Sequence, residues 1–190
     1  ASEEGMTEIR HIVFDIGKVL IHYDPDLPFS RLIPDAGKRK WFFDNVCTSA
    51  WNIEQDRGRT WEDAEALLIA AHPGHTENIR NFRRHWHEMV PHAYDDSVAV
   101  MEGLIDAGRD VTMLTNFAAD TFVEARRRFA FLNRPRGVTV SGEVGLIKPD
   151  RAIDDSRNNV DGARAAGWQA VLFTDAATLK SDLKTFGIAA

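Results

Sequence analysis

The sequence predicts an α/β fold: a three-layer, Rossmann-like core on a parallel sheet, with an all-helical insert near its start. Three observations predict it. Short apolar runs alternate with stretches of helical periodicity, the pattern of βαβ units that lay helices on both faces of a parallel sheet. The first apolar run stops abruptly at Asp15-Ile16-Gly17. The interval from about residue 25 to residue 90 has no convincing strand and at least three helical patterns.

Taken in order, His11-Ile12-Val13-Phe14 within residues 9–16 reads as a buried strand. In the insert, Trp41, Phe42 and Val46 form one stripe. Thr60-Trp61-Glu62-Asp63 resembles a capping box opening a helix with Ala64, Leu67, Leu68 and Ala71 on it. Ile79, Phe82, Trp86 and Met89 form another stripe at helical spacing. Asp95 is placed to cap a helix with Val98, Met101, Leu104 and Ile105 on one face, stopped by Gly108. Residues 111–114 form a second strand that ends at Thr115-Asn116. Asp120 is placed to cap the next helix, with Phe122, Ala125 and Phe129 inward. Val138-Thr139-Val140 and residues 170–173 are further strand candidates. Val160, Ala163 and Ala166 mark a helix that ends at Gly167. The expected division is a core of residues 6–24 and 91–190 and a helical cap of residues 25–90.

A chain of 190 residues, 44% of them hydrophobic, suffices for one sizeable core with a small insert, but not for two large domains. A net charge of −6 gives no electrostatic footprint for nucleic acid or anionic lipid. The basic runs Arg80-Asn81-Phe82-Arg83-Arg84 and Arg126-Arg127-Arg128 read as solvated helix faces. The histidines make no metal site: His85 and His87 diverge on a helix, and His72 and His75 flank a Pro-Gly turn. Cys47 is the single cysteine, which excludes an intramolecular disulfide and suits a reducing compartment. No apolar run approaches the roughly 18 residues of a membrane span. Ala1 to Gly5 read as a polar leader ahead of Met6. The expectation is a cytoplasmic protein whose partner is a small molecule, with no nucleic acid and no membrane.

Ligands of open parallel sheets bind at the carboxyl ends of the strands. Asp15 follows the first strand and Thr115-Asn116 the second. Lys148 lies in the loop Gly145-Leu146-Ile147-Lys148-Pro149-Asp150, and Asp154-Asp155 follow. Phosphoryl transfer needs such a set. A carboxylate can attack phosphorus, but its charge repels a phosphate dianion. Mg²⁺ held by hard oxygens removes that repulsion, and an amine and a hydroxyl can hold the remaining oxygens.

Four segments occur in order: Phe14-Asp15-Ile16-Gly17-Lys18-Val19-Leu20, Leu114-Thr115-Asn116, Lys148-Pro149-Asp150 and Asp154-Asp155-Ser156-Arg157-Asn158-Asn159-Val160. Together they resemble the four ordered motifs of the haloacid-dehalogenase-like hydrolases, over residues 9–173. The insert is similar to that superfamily's first-type cap. Within the superfamily the chain looks like the subfamily IA branch containing sugar-1-phosphate phosphatases and the N-terminal phosphatase domain of epoxide hydrolases. The resemblance implies a Mg²⁺-dependent phosphatase of a small phosphorylated metabolite, with sugar phosphates among the candidates. Asp15 would form an aspartyl-phosphate and place its other oxygen on the metal. The Gly17 carbonyl would be a second ligand. Thr115 and Asn116 would hold the phosphate, and Lys148 would neutralise nucleophile and phosphate. Asp155 would ligate the metal directly, with Asp154 acting through water or orienting the shell. The alternatives are a 2-haloacid dehalogenase using the same aspartate and a catalytically silent ligand-binding relative.

Two departures from the motif pattern carry consequences. Phosphatases of the superfamily mostly have a second aspartate two residues after the nucleophile, where this chain has Gly17. General acid catalysis is worth about 10²–10⁴-fold, so its loss points to acidic leaving groups such as anomeric sugar phosphates or acyl phosphates. Only Arg151-Ala152-Ile153 separate the third motif from Asp154, where relatives carry a crossover of roughly 20 residues. A segment is therefore expected to be absent between Ile153 and Asp154. Within the insert, Trp51-Asn52-Ile53-Glu54-Gln55-Asp56-Arg57-Gly58-Arg59 is a candidate substrate-selecting stretch. Trp41, Trp51, Trp61 and Trp86 read as core.

Overall fold

The computed structural model describes residue 9, residues 11–145 and residues 156–189. Strands β1 (His11–Phe14), β2 (Asp110–Thr115) and β3 (Gly137–Val140) form a parallel sheet in the order β1-β2-β3. Phe14 lies opposite Met113, and Thr115 opposite Val140. This register brings the carboxyl ends of all three strands to one edge, as a parallel sheet with helical crossovers requires. Burial alternates: Ile12, Phe14, Val111, Met113, Thr115 and Val140 are buried, while Val13, Thr112 and Leu114 are half-buried.

Between β1 and β2 the described chain is helical: α1 (Asp26–Leu32), α2 (Ala36–Asn45), α3 (Ser49–Asp56), α4 (Trp61–Ala71), α5 (Thr76–Arg84), α6 (Trp86–Met89) and α7 (Asp95–Asp106). Thr60 caps α4 as predicted, accepting the Asp63 N–H at 3.1 Å and donating to the Asp63 carboxylate at 2.8 Å. Thr48 caps α3 by accepting the Trp51 N–H at 3.1 Å. Past β2 come α8 (Ala119–Arg128), then β3, α9 (Ser141–Val144), α10 (Arg157–Ala165) and α11 (Ala176–Thr185). Gly108 and Gly167 follow α7 and α10 with φ of 76° and 83°, a left-handed stop that favours glycine.

Several expectations are corrected. Asp95 and Asp120 are not caps. Tyr94 and Ala118 hold those positions, and the two aspartates fall in the first turns of α7 and α8, where negative charge suits the helix dipole. The Asp120 carboxylate is taken by longer-range partners, Trp61 and Arg83. Among the described residues, 170–173 form no strand: Leu172 carries a single bridge, although Ala170, Val171 and Phe173 are buried. The segment is short because the left-handed turn at Gly167 precedes it and Asp175 already caps α11.

One hydrophobic cluster runs from the sheet (Phe14, Met113, Val140) through Val19 and Leu20 into the insert (Phe29, Phe42, Trp51, Phe82, Trp86). The Phe29 and Phe42 rings stack at 5.4 Å, and Trp51 meets Phe82 edge-on at 5.3 Å. The basic runs are tied down. Arg83 pairs with Asp120 and Glu124, Arg84 with Glu77, and Arg128 donates to the carbonyls of His87 and Val90. Among the described residues no helix is long and apolar enough to cross a membrane.

Candidate active site

A cleft of about 280 Å³ opens at the carboxyl edge of the sheet, lined by Asp15, Gly17 and Asn116 from the strand ends and by Asn52, Asp56 and Trp61 from the insert. Asp15 is the first residue past β1 and is buried, its Oδ1 accepting the N–H of Ile16 at 2.7 Å. Behind it the chain folds into a tight knot. The Ile16 carbonyl accepts the N–H groups of Leu20 and Ile21 at 2.8 and 3.1 Å, and the Lys18 N–H donates to the Ile21 carbonyl at 2.8 Å. Lys18 takes a φ of 59°, uncommon for a residue with a side chain. Val19, Leu20 and Ile21 are buried beneath it, so apolar packing holds the backbone in that turn. At Gly17 an added Cβ meets no heavy atom within 4 Å among the described residues.

The second wall of the sheet side is the loop after β2. The buried Ser141 hydroxyl accepts the Phe117 N–H at 2.9 Å, and the Gly142 N–H donates to the Phe117 carbonyl at 3.1 Å. A Cβ at Gly142 would lie 2.7 Å from both Ala119 N and Phe117 O, so only glycine lets α9 approach this loop. Asn116 is thereby set on the cleft. Thr115 is not among the lining residues. It is buried at the end of β2, and its Oγ1 has no hydrogen-bond partner among the described residues. Lys148, Asp154 and Asp155 lie outside the described residues, as does the junction at Ile153.

From the insert, Asp56 ends α3 and is half-buried. Burial pushes its carboxyl up to about 7, against a smaller opposing effect of a hydrogen bond from the Ala118 backbone N–H. The Tyr23 hydroxyl, on the same cleft, is also pushed up, first by burial and then by the charge of Asp56. Trp61 and Trp86 line the cleft as well. The expectation of core tryptophans therefore holds for Trp51 and Trp86, which are buried, and fails for Trp41, which is 48% exposed. Trp61 is half-buried at the boundary, its indole N–H donating to Asp120 at 3.0 Å. The polar stretch of residues 51–59 does contribute to the cleft, through Asn52 and Asp56. Among its described lining residues there is no thiol or imidazole, and the carboxylates of Asp15 and Asp56 are hard oxygen donors of the kind that suit Mg²⁺. Among the described residues, no group of three or more His, Cys, Asp or Glu could hold a metal ion.

No family model matches the sequence, and no curated protein matches it. Solved structures do. A HAD-family enzyme from Bacteroides thetaiotaomicron, in complex with magnesium and inorganic phosphate, superposes with a TM-score of 0.67 at 16% identity. The match covers 90% of this chain and 98% of that one.

The chain has the haloacid-dehalogenase fold.

L-2-haloacid dehalogenase from Xanthobacter autotrophicus, with chloropropionic acid covalently bound, matches at 14% identity and a TM-score of 0.57, covering 96% of this chain and 85% of that one. A putative beta-phosphoglucomutase from Thermotoga maritima matches at 12% identity and a TM-score of 0.51, covering 91% of each chain. In this haloacid-dehalogenase fold, the edge that carries Asp15 and Asn116 is the carboxyl edge of the parallel sheet.

Proposed function

We propose that this chain is a Mg²⁺-dependent phosphatase acting on a small phosphorylated metabolite, with Asp15 as the nucleophile. The observation that carries the reading is the placement of Asp15: a buried carboxylate at the end of β1, facing a cleft it shares with Asn116. The fold supports it, because a similar structure holds magnesium and inorganic phosphate. Residues 25–90 act as the cap that closes over the substrate, and residues 6–24 and 91–190 as the hydrolase core. The buried single thiol, Cys47, suits a cytoplasmic setting.

An Asp15 oxygen attacks phosphorus, the ester bond breaks, and the alcohol leaves from an aspartyl-phosphate. Water then attacks that phosphorus and returns the carboxylate. Asn116 holds the phosphoryl oxygens, with Lys148 neutralising their charge. Asp15, the Gly17 carbonyl, Asp155 and, through water, Asp154 would hold Mg²⁺. When bound, the ion offsets the repulsion between carboxylate and phosphate.

The test is phosphate release from a metabolite panel with and without Mg²⁺, beside halide release from 2-chloropropionate. Wild type should release phosphate only with Mg²⁺, and Asp15→Asn should lose about 10⁴-fold or more, as removal of a nucleophile does. Metal-independent halide release would instead make the chain a dehalogenase. No turnover of either class would make it a silent binding protein.

A further inference from the structure

We propose that Asp56, delivered by the helical insert, is the general acid–base that the Gly17 position lacks. The proposal rests on the phosphatase reading and names the proton donor of that same site. Of the titratable groups on the described cleft, Asp15 is committed as nucleophile, Lys18 is a cation, and Tyr23 is held further from neutrality by burial and by Asp56 itself. Asp56 remains.

Its position is fixed from two sides. Thr48 starts α3 and Arg57 ends it, with the Arg57 N–H on the carbonyls of Ile53 and Glu54 at 3.1 and 3.2 Å. The next residue, Gly58, takes a φ of 105° with its Cβ position 3.3 Å from the Gly142 carbonyl. The Asp56 carboxylate accepts the N–H of Ala118, two residues beyond Asn116. One loop thus anchors the acid and presents the phosphate-holding amide, so donor and phosphate keep a common register. The raised carboxyl, at about 7, matches the range in which a proton donor works near neutral pH. Among the described residues that line the cleft or the adjoining cavity with Asp56, the titratable groups are Asp15, Lys18, Tyr23 and Cys47.

In the first step Asp15 forms the bond to phosphorus, the phosphorus–oxygen ester bond breaks, and the leaving oxygen takes the proton of the Asp56 carboxyl. In the second, the Asp56 carboxylate takes a proton from the attacking water, whose oxygen displaces Asp15 from phosphorus. Phosphate leaves and Asp56 is again protonated.

The experiment compares wild type and Asp56→Asn on p-nitrophenyl phosphate, whose leaving group needs no proton, and on glycerol 3-phosphate, whose leaving group does. The variant should lose about 10²–10⁴-fold on glycerol 3-phosphate. It should keep the initial p-nitrophenol burst while steady turnover slows. Wild-type turnover of the alkyl ester should fall above pH 7, and the burst should not.

Melting curves supply a second readout. A carboxyl raised from 3.8 to about 7 contributes stability fully present below 3.8 and lost as pH rises through about 7. The neutral Asn loses nothing, so Asp56→Asn should melt above wild type at pH 8 and level with it at pH 4. Loss of the p-nitrophenol burst along with alkyl turnover, no alkyl turnover by an otherwise active wild type, or a variant that melts lower at pH 8 would overturn the assignment of Asp56 and leave the phosphatase reading standing. A wild type that releases phosphate from neither ester overturns that reading and this assignment together.

Discussion

The two walls of the cleft are held by different means. On the sheet side, position comes from buried backbone. The Ile16 carbonyl gathers the turn behind Asp15, and Ser141 with Gly142 pins Phe117 behind Asn116. On the insert side, position comes from side chains, several of them solvated. Arg59 reaches Gln55 Oε1 and the Trp51 carbonyl at 2.8 and 2.7 Å, and Trp61 and Arg83 converge on the exposed Asp120. Backbone bonds in a packed interior fix reacting atoms closely. Side-chain links across a wet boundary allow small displacements at low energy. The difference assigns rigidity to the wall that carries Asp15 and adaptability to the wall built by the insert.

That contrast can be broken most directly at Gly142. Gly142→Ala places a methyl 2.7 Å from two backbone atoms, so the loop must move. The expected loss is about 1–3 kcal/mol by denaturant titration, with turnover falling further as Asn116 and the Ala118 N–H shift. A Gly142→Ala protein with unchanged midpoint and turnover would show that the sheet-side wall is not rigid. Thr60→Ala, which removes the α4 cap, should lower stability by about 1 kcal/mol and leave the sheet side unaltered. Urea melts read the first and the Asp15 burst the second. Smallest of the three is Asp120→Ala. It severs Trp61 and Arg83 in a half-exposed setting, for about 0.5 kcal/mol. Its signature is a few-fold rise in KM with kcat preserved; a fall in kcat would place the boundary links inside the chemistry.

Legibility in the sequence follows the same divide. Asp15 and Asn116 could be found because strand ends are marked by where an apolar run stops, and a parallel register then carries those ends to one edge. The Thr60 cap was readable because its partner, Asp63, is three residues away. Asp120 looked like a cap for the same local reason, but Trp61 and Arg83 claim its carboxylate, and neither is near it in sequence. Asp56 sits in a stretch that reads as capable of facing substrate, yet its own place on the cleft is not legible. Which turn of α3 meets the sheet depends on how Phe29, Phe42, Trp51 and Phe82 pack, and no periodicity encodes that. Helical stripes likewise could not tell the buried Trp86 from Trp61 at the rim. The 170–173 run was apolar enough for a strand, but the turns on either side leave it no room for a ladder.

The open space at Gly17 has an evolutionary consequence. Two of the four glycine codons become aspartate codons by a single nucleotide change, and an added Cβ at this site meets no heavy atom within 4 Å among the described residues. Among the described residues no steric barrier at the Cβ keeps an acid from the loop after β1. On the Asp56 proposal, a lineage with this fold can shift its proton donor between sheet and insert in one heritable step.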